Sequence, residues 1–266
     1  KNGTSINMIP GINISDLKYD FDESSPDLMQ KVALPDSRIK SLLLLSSNKA
    51  HFEKKPSDIA EELGKIFEQI LAAAYDCFSP EEARLILNYG YIAGGSISSV
   101  YWNEFPNDYD LFFTEKAVAD YFFEKFQSQI QFTHFPGSKF SLNLSLVSDN
   151  AVSLFLSGNG LGSFNLQLIT KYYGPPEEVI SRFDFKHCMS YFKWDLPFLI
   201  QEEVIQIRSL VFNENAASPL NSIMRIHKLC SKGWHIKKQE IIKLGRALSK
   251  LNFDDPAVIA TLSDYY

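Results

Sequence analysis

The sequence predicts an α/β (α+β) protein, a mixed sheet flanked by helices and followed by a small helical domain. Three patterns carry this reading. Ile59, Leu63, Ile66, Phe67, Ile70 and Leu71 recur at helical spacing. Residues 91–114 (YIAGGSISSVYWNEFPNDYDLFFT) read as strand, glycine turn, short helix, loop and strand. Residues 140–156 (FSLNLSLVSDNAVSLFL) alternate apolar and polar and turn at Ser148-Asp149-Asn150, the pattern of an antiparallel hairpin. The chain divides into an N-terminal extension over residues 1–56, an α/β domain over 57–195 and a helical domain over 196–266.

The extension carries little signal beyond a loop around Asp20–Pro26 and a short apolar element over Arg38–Ser46. It offers a surface for a protein partner. Ser57 then follows Pro56 and precedes Asp58, Glu61 and Glu62, acidic residues that suit a helix start. Ser79-Pro80-Glu81-Glu82 is a second start, with Ser79 as N-cap, proline at the first position and Glu82 completing a capping box; this helix stops at Gly90. Tyr91–Ala93 is a short strand, Ser96 caps a helix over Ile97–Asn103, and Asp108–Phe113 is the next strand. Thr114 caps a helix to about Phe126, whose Val118, Tyr121, Phe122 and Phe126 form a core face. After the hairpin, Phe164–Thr170 (FNLQLIT) is another strand, and Ser218-Pro219 opens a helix over Leu220–Ser231 that ends at Gly233.

The chemistry lies in the 91–114 stretch. Residues i and i+2 of a strand share a face, so Asp108 and Asp110 project side by side while Tyr109, Leu111 and Phe113 enter the core. Two adjacent carboxylates repel unless a cation lies between them, and hard oxygen ligands of this kind suit Mg²⁺ or Mn²⁺ with phosphates completing the shell. Gly94 and Gly95 let the backbone approach a triphosphate, Ser96 adds a hydroxyl, and the helix start offers free N–H groups. A lone DxD is often a pair of solvated charges and a lone GGS often a turn. Their ordered combination, with Asp108 twelve residues after Ser96, points to metal-assisted phosphoryl or nucleotidyl transfer.

These residues resemble the signature of the polymerase-β-like nucleotidyltransferase superfamily. GGSISSVYWNEFPNDYDLFF is similar, more narrowly, to the head motif of class II CCA-adding enzymes and bacterial poly(A) polymerases. GPPEEVISRFDFKHCMSYF resembles that family's EEDLxRRDFTxNAMAY stretch, and SPLNSIMRIHKLCSKGWHI its neck helix. The resemblance covers roughly residues 91–234. It implies a nucleotidyltransferase-type sheet, Asp108 and Asp110 as catalytic metal ligands, and a nucleotide held by Gly94, Gly95, Ser96, Arg182, Asp184, Arg225 and Lys228. It implies NMP transfer from an NTP, with Mg²⁺ or Mn²⁺, to a hydroxyl acceptor, by preference an RNA 3′ end. The chain departs from the family in three places. Ser98-Ser99 replaces Arg-Asp, Gln167 stands at the usual third carboxylate, and Ser218, Pro219 and Ser222 replace the Glu-Asp-x-x-Arg that reads the base. The last change disfavours CCA addition. The Gln167 change keeps a second reading open, a catalytically impaired fold that binds a nucleotide, an RNA or a protein. An amide oxygen can still ligate a metal but brings no charge.

Composition narrows the partners. The net charge is −6 over 266 residues, which excludes bulk binding of nucleic acid, yet residues 221–251 hold eight basic side chains and one acidic, a surface for RNA phosphates. With 45% hydrophobic residues and 21 Phe, a sizeable core is available. Cys77, Cys188 and Cys230 are widely spaced with no CxxC, which predicts reduced core thiols, no zinc site and a cytoplasmic protein. No apolar run approaches the ~20 residues of a membrane span, so no membrane partner is expected.

Overall fold

The structure is a computed structural model that describes residues 54–127, 139–158, 162–256 and 258. The expectations for the N-terminal extension, apart from its last three residues, and the tip of the loop after the hairpin lie outside those residues.

The elements follow the predicted order. Helix α1 (Pro56–Cys77) and helix α2 (Pro80–Tyr89) lead into strand β1 (Gly90–Ala93), helix α3 (Gly95–Tyr101), strand β2 (Tyr109–Phe113) and helix α4 (Lys116–Gln127). Strands β3 (Phe140–Val147), β4 (Ala151–Gly158) and β5 (Ser163–Tyr173) follow, then helix α5 (Pro176–Ile180), a 3₁₀ turn at Lys186–Cys188 and strand β6 (Tyr191–Phe192). The remaining segment contains α6 (Glu202–Ile205), β7 (Ser209–Leu210), α7 (Pro219–Ser231), β8 (His235–Ile236) and α8 (Lys238–Leu248). It is therefore not purely helical, because β7 and β8 pair as a small parallel sheet.

Six strands form one mixed sheet in the order β3-β4-β5-β2-β1-β6. β2 and β5 are parallel and the other neighbouring pairs antiparallel. The period of two sorts the side chains. Ile92, Leu111, Phe113, Leu166 and Leu168 enter the large cluster under α1, α2 and α4. Tyr91, Ala93 and Phe112 face the opposite side, where Val179 and Ile180 of α5 cover them. Asp110 lies between Leu111 and the buried Tyr109 in sequence and therefore shares the Phe112 side of β2.

Local signals explain the entry to this sheet. The Ser79 hydroxyl accepts from the Glu82 amide, and the Glu82 carboxylate accepts back from that hydroxyl. Glu82 is nearly fully buried, and Tyr121 and Lys125 of α4 satisfy its charge. At the α2–β1 junction a Cβ on Gly90 would stand 2.5 Å from the Ile86 carbonyl oxygen, so only glycine permits the turn directly into β1.

The large cluster continues from Ile59 through Phe185 and Phe212 to Trp234 and Leu244, so the segment after residue 196 packs onto the sheet through shared apolar side chains. No helix among the described residues is long and apolar enough to cross a membrane. Cys77 and Cys188 are buried as expected, whereas Cys230 is exposed on α7.

Candidate active site

β1 ends at Ala93, Gly94 follows with a φ of +97° in the region open to glycine, and α3 begins at Gly95. This corrects the expected cap. Gly94, not Ser96, is the N-cap, because the left-handed turn starts the helix sooner than a serine cap would. Ser96 moves into the first turn, where its hydroxyl is buried and has no hydrogen-bond partner among the described residues. A Cβ on Gly94 would stand 3.3 Å from Asp110 Oδ2, so the glycine also leaves room for the carboxylate.

The acidic pair comes from the next element. Asp108 precedes β2, and Asp110 lies within it, with Ala93 of β1 opposite on one side and Gln167 of β5 on the other. Gln167 reaches across and donates Nε2 to Asp108 Oδ2 at 3.1 Å. Asp108, Asp110 and Gln167 thus form one cluster on one face of two parallel strands. Burial raises the Asp110 carboxyl to about 7, the Asp108 charge pushes the same way, and the Arg225 guanidinium opposes both.

A cleft open at its mouth lies over this cluster. Gly95, Ser96, Asp108 and Asp110 line its floor, and Arg225, Lys228 and Leu229 of α7, with Lys232 at its C-cap, line a wall. Those four residues recur at i, i+3, i+4 and i+7, one face of the helix. Arg225 Nη1 donates to Asp184 Oδ1 at 2.6 Å, and Nη2 donates to Cys188 Sγ at 3.5 Å. Burial raises the Asp184 carboxyl while Arg225 and the Phe185 amide oppose that rise. Among the described residues, no ion pair is formed by the ammonium group of Lys228 or Lys232.

The sequence-predicted residues therefore separate into layers. Gly95, Ser96, Asp108, Asp110, Arg225 and Lys228 line the cleft, and Gly94 and Gln167 stand directly behind the carboxylates. Asp184 is a layer further back and acts on Arg225. Arg182 is exposed and is not among the cleft-lining residues. Its carbonyl accepts from the Ala217 amide, which ties the corner to the start of α7.

Further residues frame the cleft. Trp234 closes one side of the cleft against His187, ring centroids 4.1 Å apart. His187 is buried, which lowers its pKa to about 3 and keeps the ring neutral, so it is no general base near pH 7. Ser98 donates its hydroxyl to the His187 carbonyl at 3.0 Å, which couples α3 to the 3₁₀ turn where the family motif has arginine. Ser222, at a position of the family's base reader, is fully buried and donates to the Ser218 carbonyl.

Chemically, two carboxylates and an amide suit a divalent cation better than a soft metal. No group of three His, Cys, Asp or Glu side chains among the described residues forms an alternative metal site. The unpartnered Ser96 hydroxyl and the lysines opposite suit phosphate oxygens. Fold and site together define an α/β protein whose six-stranded mixed sheet carries an acidic pair beneath a cleft. The chain belongs to the Gabija anti-defense 2 family, whose model matches residues 65–207. It is 28% identical over 163 residues to the protein Gabija anti-defense 2 of Bacillus phage SPbetaL7, a match over 59% of this chain and 36% of that protein. The chain thus spans about a third of that relative's length. Among solved structures it is similar to the Thermotoga maritima CCA-adding enzyme complexed with tRNA, at 14% identity and a TM-score of 0.43, over 76% of this chain and 47% of that one. A CCA-adding enzyme in complex with CTP is similar at 13% identity and a TM-score of 0.44, with the same shares covered.

Proposed function

We propose that this protein is a metal-dependent nucleotidyltransferase that moves an NMP from an NTP to a hydroxyl acceptor, an RNA 3′ end. The observation that carries the reading is the placement of Asp108, Asp110 and Gln167 under Ser96 on one side and opposite Arg225 and Lys228 on the other. An acidic floor facing a basic wall matches the charge pattern of a metal–triphosphate.

Asp108 and Asp110 would hold Mg²⁺ or Mn²⁺, with the Gln167 side-chain oxygen available after a turn of its amide. When bound, the cation supplies Lewis-acid activation of the attacking hydroxyl and charge neutralisation at the α-phosphate. Ser96 donates its free hydroxyl to a phosphate oxygen, and Gly94 and Gly95 keep side chains out of that space. Lys228 and Arg225 balance the charge that gathers on departing pyrophosphate. Asp184 positions Arg225 and leaves it one face for the cleft. Asp108 or Asp110 accepts the acceptor's hydroxyl proton. In-line attack forms the new phosphodiester and breaks the α–β phosphoanhydride.

Residues 57–195 form the catalytic head in this reading and 196–266 a neck, with residues 1–56 available to a protein partner. The 221–251 surface meets the RNA. Ser218 and the buried Ser222, in place of charged base-reading side chains, make CCA addition a poor candidate for the reaction. The relative's name sets it against the Gabija defence, and we place this chain's cytoplasmic transfer reaction in that contest.

A second reading has its own support. The neutral Gln167 amide beside Asp108 is what a nucleotide-binding module without catalysis would show. Calorimetry with a non-hydrolysable NTP separates the metal-dependent reading from a plain docking surface. Binding that needs Mg²⁺ and disappears in Asp108→Ala supports the site. Equal binding with and without metal, and in the variant, overturns it.

A further inference from the structure

Phe105 is the most exposed large apolar side chain among the described residues, at 98% of its accessible surface. A phenyl ring fully in water on a loose loop would mean little. This loop is fastened at both ends. The Glu104 amide donates to the Ser99 carbonyl at 2.9 Å, and the Glu104 carboxylate pairs with Arg208. Arg208 stacks over the Trp102 ring at 4.4 Å and donates Nη1 to the Lys232 carbonyl at 2.7 Å. On the other side the Asn107 carbonyl accepts from Asn165 Nδ2 at 2.9 Å. The ring is therefore presented on a braced loop.

The place of presentation is informative. Glu104, Pro106 and Asn107, on either side of Phe105, line the same cleft as Asp108, and Lys228 of α7 and Lys232 at its C-cap line it too. The Arg208 brace ties Glu104, next to Phe105 in the loop, to the Lys232 backbone at the C-terminal end of α7. The loop neighbours Glu104 and Asn107, which line the cleft, are polar. One flat ring among polar groups, next to cationic side chains, has the chemistry of a stacking platform for single-stranded nucleic acid.

We infer that Phe105 is the acceptor platform of the site, stacking on a base near the 3′ end of a single-stranded RNA whose phosphates are met by Lys232 and Lys228. The inference rests on the proposed transfer reaction and assigns its acceptor subsite. It places the terminal hydroxyl toward Asp108, three residues along the chain.

The test is fluorescence anisotropy with a 5′-fluorescein-labelled single-stranded oligoribonucleotide of about 12 nucleotides, in the absence of NTP. Phe105→Ala weakens RNA binding about tenfold, within the range for loss of one base stack, and Phe105→Trp restores it. The Phe105→Ala slope against log salt stays that of the unaltered protein, whereas Lys232→Ala lowers it by about one. Because the ring contacts nothing that holds the fold, the melting temperature of Phe105→Ala matches the unaltered protein. RNA binding that is the same in Phe105→Ala, or not restored by Phe105→Trp, overturns the inference. Loss of label from a protein acceptor with RNA binding intact also overturns it, and assigns Phe105 to protein docking. The titration needs no turnover, so it stands apart from failure of the transfer reaction, which labelled NTP reads directly.

Discussion

Gln167 donates its side-chain amide to Asp108 across 3.1 Å, while in the strand register it stands opposite Asp110. One neutral residue thus neighbours both members of the acidic pair, Asp108 by hydrogen bond and Asp110 by backbone register. A carboxylate at this position would add a third negative charge to the same few ångströms.

Gln167→Glu is therefore expected to tighten divalent-cation binding about tenfold or more, because charge is added to a hard-oxygen site. Without metal the same variant melts lower than the unaltered protein, since the added carboxylate faces two others; saturating Mg²⁺ reverses the order. Differential scanning calorimetry with and without Mg²⁺ reads both effects.

The Asp110 carboxyl gives a pH signature. Its folded pKa of about 7 lies above the ordinary 3.8, so between these values the folded protein holds more protons than the unfolded chain. Stability of the metal-free protein falls as pH rises through that window, and the full cost is present above about pH 7. Asp110→Asn removes the cost. It should melt higher than the unaltered protein at pH 8, by about 2–4 °C for each kcal/mol recovered, and show no difference near pH 4. A melting temperature lower than the unaltered protein at pH 8 counts against the placement of Asp110.

Arg225 acts on two carboxylates, the buried Asp184 by direct pairing and Asp110 by its field. Arg225→Met leaves Asp184 buried without its cation and is expected to cost about 2–4 kcal/mol at pH 8. It also moves the Asp110 titration to higher pH, visible in the carboxyl NMR shift of a ¹³C-labelled sample. The double variant Arg225→Met/Asp184→Asn recovers much of the stability but not the Asp110 shift.

Gly94→Ala places a side chain at φ +97° and a Cβ 3.3 Å from Asp110 Oδ2. The strain costs about 1–2 kcal/mol, and the methyl group competes with the carboxylate for its position. Denaturant unfolding should show the stability loss, and NTP titration a weaker metal-dependent affinity. Gly245→Ala, in open space inside α8, serves as the opposite case, with stability raised by about 0.5–1 kcal/mol and NTP affinity unchanged.

Much of this arrangement was legible in local pattern. The period of two placed Tyr109, Leu111 and Phe113 in the core and Asp108 with Asp110 on the other face. Alternation and the Ser148–Asn150 turn gave the β3–β4 hairpin; Gln167 came from the family resemblance rather than from local pattern, and the register places it beside Asp110. The helical spacing of Arg225, Lys228 and Lys232 was present too. What was not legible depends on distant pairings. Arg208 has no local signal, because its partners Glu104 and Trp102 lie about a hundred residues earlier. The stack of His187 on Trp234 joins two motifs that periodicity cannot connect. The small β7–β8 pair was too short to show a period. Ser96 was misplaced as a cap because nothing local reveals that Gly94 turns left-handed.

The most direct test of the account is transfer itself. The protein is incubated with each α-³²P-labelled NTP, Mg²⁺ or Mn²⁺, and total cellular RNA, alongside Asp108→Ala and Asp110→Ala. The account predicts label at RNA 3′ ends with at least one NTP, absent from both variants and restored by neither metal. A folded protein that labels no RNA with any NTP or metal, or whose labelling survives loss of both carboxylates, contradicts it.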